Sequence, residues 1–516
     1  MTSARLPQPA GARALVIGAG IGGLAAALRL TAAGLAVTVL ERAPGPGGKM
    51  RQVASAAGPV DAGPTVLTLR GVFDDLFAAA GARLEDHVRL MPQPLLARHF
   101  WPDGARLDLY ADHGRSRDAV AAFAGAAEAA AFDRVSAEAR ALFSAFEAPM
   151  MRATDPRLTA LAGAVLRNPG LIGAMAPGRS LAGALARRFR DPRLVQLFGR
   201  YATYVGGSPY GAPALLSLIW EAEARGVWAV EGGLHALARA VAGLAERLGA
   251  RFVYAAEVAE IGCTSGRAAR ASLTDGRGFD ADLVVFNGDP RALATGRLGP
   301  AVAGVAPQTR RRPRSLSARV WSFAARYDGP ALIHHNVFFS ADYAAEFRAL
   351  GSGAIPPDPT LYICAEDRAR HRAPSGPERF EIIENAAPLT ADGIAGEEFE
   401  TCRTRVFTTL GRFGLRFDPL PEPAALTTPA GFEALFPASA GSLYGQSPHG
   451  MTASLARPRA RTAVPGLYLA GGGAHPGAGV PMAALSGRHA AETILRDLGL
   501  TSPSRRTVMH GGMSTA

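Results

Sequence analysis

Near the start of the chain, Gly18-Ala19-Gly20-Ile21-Gly22-Gly23 makes a turn suited to a diphosphate. The first glycine permits a tight turn, the second lets the backbone approach a pyrophosphate, and Gly23 lets a helix pack closely on a strand. A helix beginning here offers amide hydrogens and a favourable dipole to phosphate oxygens. Glu41 follows about 20 residues on, the spacing at which an acid meets a ribose hydroxyl. Cys263, Cys364 and Cys402 lie far apart, with no CxxC and no metal-ligand spacing, so a disulfide framework, a zinc site and a redox dithiol are not expected. Four histidines invite a catalytic reading: His334 and His335, ahead of Phe338 and Phe339, and His449 and His475. A structural role competes for each, because a functional histidine is told from the rest by geometry.

The glycine turn needs a strand before it and a helix after it. Residues 14–17 are a short apolar run of the kind that makes a buried parallel strand. From Leu24 the side chains Leu24, Ala27, Leu28 and Thr31 recur at helical spacing, with Gly34 where a C-terminal cap belongs. A second strand, 36–40, ends at Glu41 and completes a βαβ opening. Helix signals dominate 119–146 and 192–220. The α/β pattern returns with Gly232 and Gly233 before a helix at 234–248, then strands at 251–254 and 281–286. Strand candidates at 315–327, 360–364 and 381–384 suit a sheet flooring a cavity. A strand at 466–470, a glycine turn and a helix at 482–498 close the ordered chain, and 501–516 reads as a flexible tail.

The segment after Glu41 carries the next signal. Arg42-Ala43-Pro44-Gly45-Pro46-Gly47-Gly48-Lys49-Met50 resembles the stretch that follows the Rossmann acid in the FAD family containing amine oxidases and carotenoid desaturases. Paired glycines let the backbone run beside a cofactor, and Lys49 can reach its phosphates. Asp61-Ala62-Gly63-Pro64-Thr65 resembles a segment of phytoene-desaturase-type (carotenoid/retinoid) oxidoreductases, where it runs near the flavin ring. The stretch Gly466 through Gly471-Gly472-Gly473-Ala474-His475-Pro476-Gly477-Ala478-Gly479-Val480-Pro481 resembles the C-terminal signature of the same family. Its strand, turn and helix N-terminus would set amides against the flavin pyrimidine ring and ribityl chain.

This resemblance implies an α/β protein with a discontinuous Rossmann-type FAD-binding domain and an α+β substrate domain of the amine oxidase and phytoene desaturase kind. The cofactor contacts it implies are Gly18, Gly20, Gly23, Glu41, Arg42, Gly48, Lys49, Gly63, Pro64, Thr65, Val258, Gly472, His475, Pro476, Gly479, Pro481 and Met482. FAD is expected to be non-covalent, since no cysteine falls in the C-terminal segment. With no second GxGxxG, no separate nicotinamide domain is expected, and electrons leave to oxygen or a quinone. The segments Tyr444-Gly445-Gln446-Ser447-Pro448-His449-Gly450 and Pro481-Met482-Ala483-Ala484-Leu485-Ser486-Gly487 look most like the branch that acts on 1-hydroxycarotenoids in bacterial carotenoid biosynthesis. That branch implies C3,4 dehydrogenation, with a hydride passing to flavin N5 and a proton lost, so a strong base is dispensable. His449 is then a candidate partner for the substrate hydroxyl, and His334 and His335 are weaker candidates for chemistry. A phytoene desaturase, another oxidoreductase of this fold and a flavin-less lipid-escort protein of related fold remain as alternatives.

Composition bounds the partners. The 516 residues carry a net charge of +11, and Lys49 is the only lysine. An arginine-rich coding bias and attraction to an anionic lipid surface both account for that charge. Arg310, Arg311, Arg312 and Arg314 form the one dense basic run and have no nucleic-acid motif around them, so no nucleic-acid partner is expected. Arg5 and Arg13 before the apolar stretch 14–28 imitate a signal peptide, but the glycine spacing inside it assigns the stretch to the nucleotide turn. The uncharged stretch 201–220 contains Gly206, Gly207, Pro209, Gly211 and Pro213 and makes a poor membrane span. The expected placement is cytoplasmic with peripheral membrane contact, set by an apolar polyene substrate. The expected division is FAD-binding parts at 1–90, 231–300 and 451–500, a helical substrate- and membrane-facing region at 91–230, a substrate sheet at 301–450 and the tail at 501–516.

Overall fold

Apolar strands drawn from three distant parts of the chain make one parallel sheet. The computed structural model describes residues 11–370, 374–390, 398–453 and 455–500; the expected tail at 501–516 lies outside them. Among the described residues the sheet order is Leu467–Leu469, Leu283–Phe286, Arg13–Ile17, Ala36–Leu40 and Arg251–Val253, all parallel. The central strand is covered on both faces, which is why it reads as a continuous apolar run. Val16 points to the layer of helices Ile21–Ala32, Leu234–Arg247 and Val480–Asp497. Leu15 and Ile17 point to the opposite face, where strands Val258–Thr264, Arg267–Leu273 and Gly278–Asp280 form a small antiparallel sheet. The first and last of the three helices touch backbone to backbone: a Cβ at Gly487 would meet the Gly22 carbonyl at 2.0 Å. The first turn of the first helix thereby packs against the eighth residue of the last.

A second sheet, eight-stranded among the described residues, runs Arg416–Asp418, Ser317–Asp328, Glu378–Ala386, Leu361–Ala365, His335–Phe338, Leu95–Phe100 and Arg106–Tyr110, with Leu426–Thr427 pairing beside Ser317–Asp328. The pleat divides its side chains. Val337 and Phe339 face a helical layer that includes Ala126–Phe146 and Pro192–Gly199, while Phe338 faces the helix Phe399–Arg412.

Three details depart from the sequence reading. The stretch 91–230 is not helical throughout, since Leu95–Phe100 and Arg106–Tyr110 join the large sheet. Leu95–Phe100 is largely buried on both faces and shows no clean period-2 pattern, while Arg106–Tyr110 alternates, burying Leu107 and Leu109, over only five residues. The helical run 119–146 breaks at Gly125, which adopts φ of 94° between His113–Ala124 and Ala126–Phe146. Finally, 192–220 is a helix, a set of 3-10 turns and a second short helix, because its glycines and prolines interrupt it.

Candidate functional site

The cradle at the parallel sheet is built by glycines that no larger residue could replace. Gly18 takes φ of 98°, and a Cβ at Gly23 would lie 2.1 Å from the Gly18 carbonyl. Asn287, at the end of the neighbouring strand, donates from Nδ2 to the carbonyls of Gly18 (3.1 Å) and Gly20 (3.4 Å). A Cβ at Gly471 would lie 2.6 Å from the same side chain's Oδ1, so Asn287 ties the N-terminal glycine turn to the C-terminal one. Helix Ile21–Ala32 starts from Gly20 and helix Val480–Asp497 from Gly479, and neither has a side-chain cap among the described residues. Their first-turn amides therefore remain donors for an anion. Glycine turns joined at Asn287 and two uncapped helix ends fit the diphosphate and sugar chain of FAD.

The expected contacts fall into two groups around this cradle. Glu41 is buried, and its carboxylate accepts from the amides of Ala19 (2.6 Å) and Ala43 (2.8 Å). Arg42 is exposed beside it. Val258 begins its strand two residues after Ala256, whose amide donates to the Glu41 carbonyl, so it belongs to the same end. In the other direction Gly48 packs on Gly20, where its Cβ would lie 3.0 Å from the Gly20 Cα, and Gly63 fits under Lys49, where a Cβ would lie 1.9 Å from the Lys49 carbonyl. Gly20, Gly48, Gly63, Pro64 and Thr65 all keep part of their surface, tracing a cleft from the phosphate turn toward the large sheet. Lys49 does not reach along that cleft to the phosphate turn. Its ammonium donates to the Leu443 carbonyl and stands 5.4 Å from the centre of the Phe436 ring. Burial lowers it to about 8, a shift opposed by Asp289 and deepened by Arg314 and Arg457.

Buried Arg457 organises the C-terminal side. It donates to the carbonyls of Gly472 (2.7 Å), Tyr444 (3.0 Å) and Gln446 (3.3 Å), pinning the 444–450 segment to the glycine turn. Gly472, Pro476, Gly479 and Met482 keep accessible surface near this turn, while Pro481 is buried in the first turn of its helix. The His475 ring is held elsewhere: Nε2 lies 2.8 Å from the Ala153 carbonyl and the ring stacks on His489 at 5.4 Å, so its side chain anchors the 147–155 segment. His449 is exposed, with Nε2 accepting from the Ser208 amide at 2.9 Å, and closes a loop without lining an interior space.

Beyond Thr65 the cleft meets an aromatic interior. Burial pushes the phenols of Tyr204, Tyr362 and Tyr444 up, the last to about 12, yet each keeps part of its surface. Desolvated side chains with free surface line an internal chamber. Val66, Val205 and Leu316 are likewise part-exposed and pack against the same core, between the large sheet and the helical layer. Contacts run around this wall: Thr65 Oγ1 lies 2.7 Å from the Tyr362 hydroxyl, and Gly206 fits against Tyr444 and Ser315. Behind Gly63 the carboxyls of Asp61, Glu366 and Glu381 are all pushed up by burial, Glu366 to about 8. A carboxyl held toward its neutral form costs less under this wall than an ionised one.

His334, His335 and Cys364 bring one donor atom each within 4.8 Å of one another. The Cys364 thiol is pushed well up by burial and by Glu366 and Glu381, and burial pushes His335 well down, so both are held toward their neutral forms. Asn287, Arg457 and Tyr362 were not singled out from the sequence as site residues. Asn287 ends a buried strand opposite a glycine turn, and that position is the one signal that could have found it. Asp61 has a structural task. Its carboxylate accepts from the Leu234 amide, capping the helix that follows Gly232 and Gly233.

A family model described as flavin containing amine oxidoreductase matches residues 21–495. The sequence is 59% identical to a hydroxyneurosporene desaturase of Cereibacter sphaeroides, covering 94% of this chain and 98% of that one. It is 32% identical to a lycopene-forming phytoene desaturase of Pseudescherichia vulneris, covering 94% and 99%. Among solved structures, a putrescine oxidase variant superposes with a TM-score of 0.59 at 14% identity, covering 94% of this chain and 99% of that one, a likeness of fold alone. The α/β fold class expected from the sequence, with its flavin-binding half, is borne out.

Proposed function

This chain belongs to the flavin containing amine oxidoreductase family, and from that premise we propose that it desaturates a 1-hydroxycarotenoid at C3,4 in bacterial carotenoid biosynthesis. It is an FAD-dependent oxidoreductase, so the flavin-less escort alternative falls. The observation that carries the substrate reading is the aromatic and aliphatic chamber into which the cofactor cleft opens at Thr65. The similarity to a hydroxyneurosporene desaturase supports the same reading.

Bound FAD supplies a two-electron acceptor. The cradle around Gly18, Gly20, Gly23 and Asn287 would hold its diphosphate, Glu41 its ribose end, and the turn at Gly472 with helix Val480–Asp497 its other half. The chamber walls align the polyene. One carbon of the C3–C4 pair loses a hydride and its neighbour a proton to water, a double bond forms between them, and the two electrons leave finally to oxygen or a quinone. Purified holoprotein given 1-hydroxyneurosporene and phytoene in separate reactions tests this by chromatography. A longer conjugated product from the hydroxylated substrate is expected; turnover of phytoene alone would overturn the assignment.

Peripheral contact with the cytoplasmic membrane accompanies this function. Among the described residues no helix is long and apolar enough to cross a bilayer. Helices Leu158–Arg167 and Leu171–Met175 instead expose Leu158 (69%), Leu166 (80%) and Ile172 (51%), with Arg157, Arg167 and Arg179 exposed around them. Leucines flanked by arginines suit an anionic lipid surface. A groove of about 720 Å³ lies against the same helices, lined by Ala148, Thr159, Gly163 and Leu171.

A further inference from the structure

Desaturation at C3,4 of a 1-hydroxylated polyene places the substrate's one hydroxyl two to three carbon–carbon bonds from the carbons being oxidised. At about 1.5 Å per bond that is roughly 4 Å. The group that recognises the hydroxyl must therefore stand beside the reaction, where the cofactor cleft enters the chamber, and not at the chamber's far end. Thr65 occupies that position, at the end of the run through Gly20, Gly48 and Gly63.

A polar chain leads away from it into an otherwise apolar wall. Thr65 Oγ1 lies 2.7 Å from the Tyr362 hydroxyl, which lies 2.6 Å from Nδ1 of His335. His335 is 2% exposed, and its Nε2 has no hydrogen-bond partner among the described residues. Thr65 and Tyr362 both keep accessible surface. Thr65 also lines a cavity of about 310 Å³ together with Asp61, His334, Cys364 and Glu366.

We propose that Thr65 and Tyr362 form the subsite for the substrate's tertiary hydroxyl, with His335 as the positioning residue that holds the Tyr362 hydroxyl. An alcohol arriving there joins the chain as donor and acceptor. A hydrocarbon end leaves two buried oxygens facing methyl groups. This also accounts for a neutral imidazole in the wall: with one N–H it fixes the direction of the Tyr362 hydrogen bond, and with no charge it leaves the chamber apolar.

The proposal rests on the hydroxycarotenoid reading, and the experiment separates the two. Holoenzymes of wild type, Tyr362→Phe, Thr65→Val, His335→Leu and His335→Asn are compared on two polyenes that differ only in the 1-hydroxyl. Turnover is read as kcat/KM, and equilibrium binding as quenching of tryptophan emission. The preference for the hydroxylated member is expected to fall about 10- to 100-fold in Tyr362→Phe and Thr65→Val, mainly through KM. His335→Leu should follow, and His335→Asn, which keeps a polar atom near the place of Nδ1, should restore most of the preference. Flavin absorbance confirms that each variant is loaded. Equal losses on both polyenes, or an unchanged preference, would overturn the subsite. If wild type binds the hydroxylated polyene preferentially through Tyr362 but converts neither, the desaturase reading fails and the subsite stands; if it converts the hydroxylated one with no dependence on Tyr362 or Thr65, the reverse holds.

Discussion

Asn287 and Gly23 show how much of this site depends on single atoms. Asn287 Nδ2 bonds two carbonyls of the phosphate turn while its Oδ1 abuts the other glycine turn. Asn287→Ala should weaken FAD binding about 5- to 30-fold, since each of its two hydrogen bonds is worth about 1 kcal/mol and each 1.4 kcal/mol is tenfold. Titration of apoprotein with FAD by flavin fluorescence measures it, and an unaltered Kd would count against the role. Gly23→Ala puts a methyl 2.1 Å from the Gly18 carbonyl. Overpacking of this kind costs about 1–3 kcal/mol, and here it must move the turn itself. The purified variant should carry little flavin and unfold at lower temperature. The glycines and Glu41 were legible because their spacing is local to one βαβ unit. Asn287 was not, because its partners Gly18 and Gly20 lie 269 and 267 residues away; Arg457 was not, because its partners, though only 11 to 15 residues away, are backbone carbonyls that no residue type marks.

Among the elements, the two glycine-started helices and the segment 158–175 matter most. Gly22 and Gly487 bring the two helices into backbone contact, and each helix start was visible as a strand, glycine turn and helix in the sequence. The exposed apolar segment was expected only in outline, as part of a middle region facing lipid. Burying a leucine-sized side chain contributes about 1.5–3 kcal/mol, so Leu158→Glu, Leu166→Glu and Ile172→Glu together should reduce co-flotation with anionic liposomes by at least about a hundredfold. Activity on detergent-dispersed substrate is the comparison, because the segment lies away from Thr65 and the cradle. Flotation equal to wild type would rule out this face as the contact.

Over the whole molecule, buried titratable groups of opposite sign set the pH range of stability. Burial lowers His99 and His489 to about 3 from an ordinary 6.5, so the unfolded chain binds their protons first and stability falls as pH drops below 6.5. Burial raises Glu346 to about 7 and Glu366 to about 8 from an ordinary 4.5, so the folded chain holds those protons longer and stability falls as pH rises above 4.5. Between 4.5 and 6.5 the two pairs offset each other. The thermal midpoint of the holoprotein should be flat there, drop below 4.5, and drop again up to about pH 8. Glu346→Gln should flatten the alkaline limb; a midpoint still climbing at pH 8 would contradict the assignment.

The sequence by itself determined the nucleotide half, because a βαβ unit writes its glycines, its acid and its apolar runs into a short local stretch. It also carried the family and the flavin through the motifs around Lys49, Thr65 and His475. Only the tertiary structure decided what several of those residues do. It turned Lys49 toward Leu443, set the His475 ring on Ala153 and His449 on Ser208, and gave Asp61 to a helix end. It also brought Thr65, Tyr362 and His335 into one chain. Residue type fixes what a side chain can donate or accept. Which partner it meets is set by packing between elements distant in sequence, where a desolvated polar group must take whatever neighbour the fold provides.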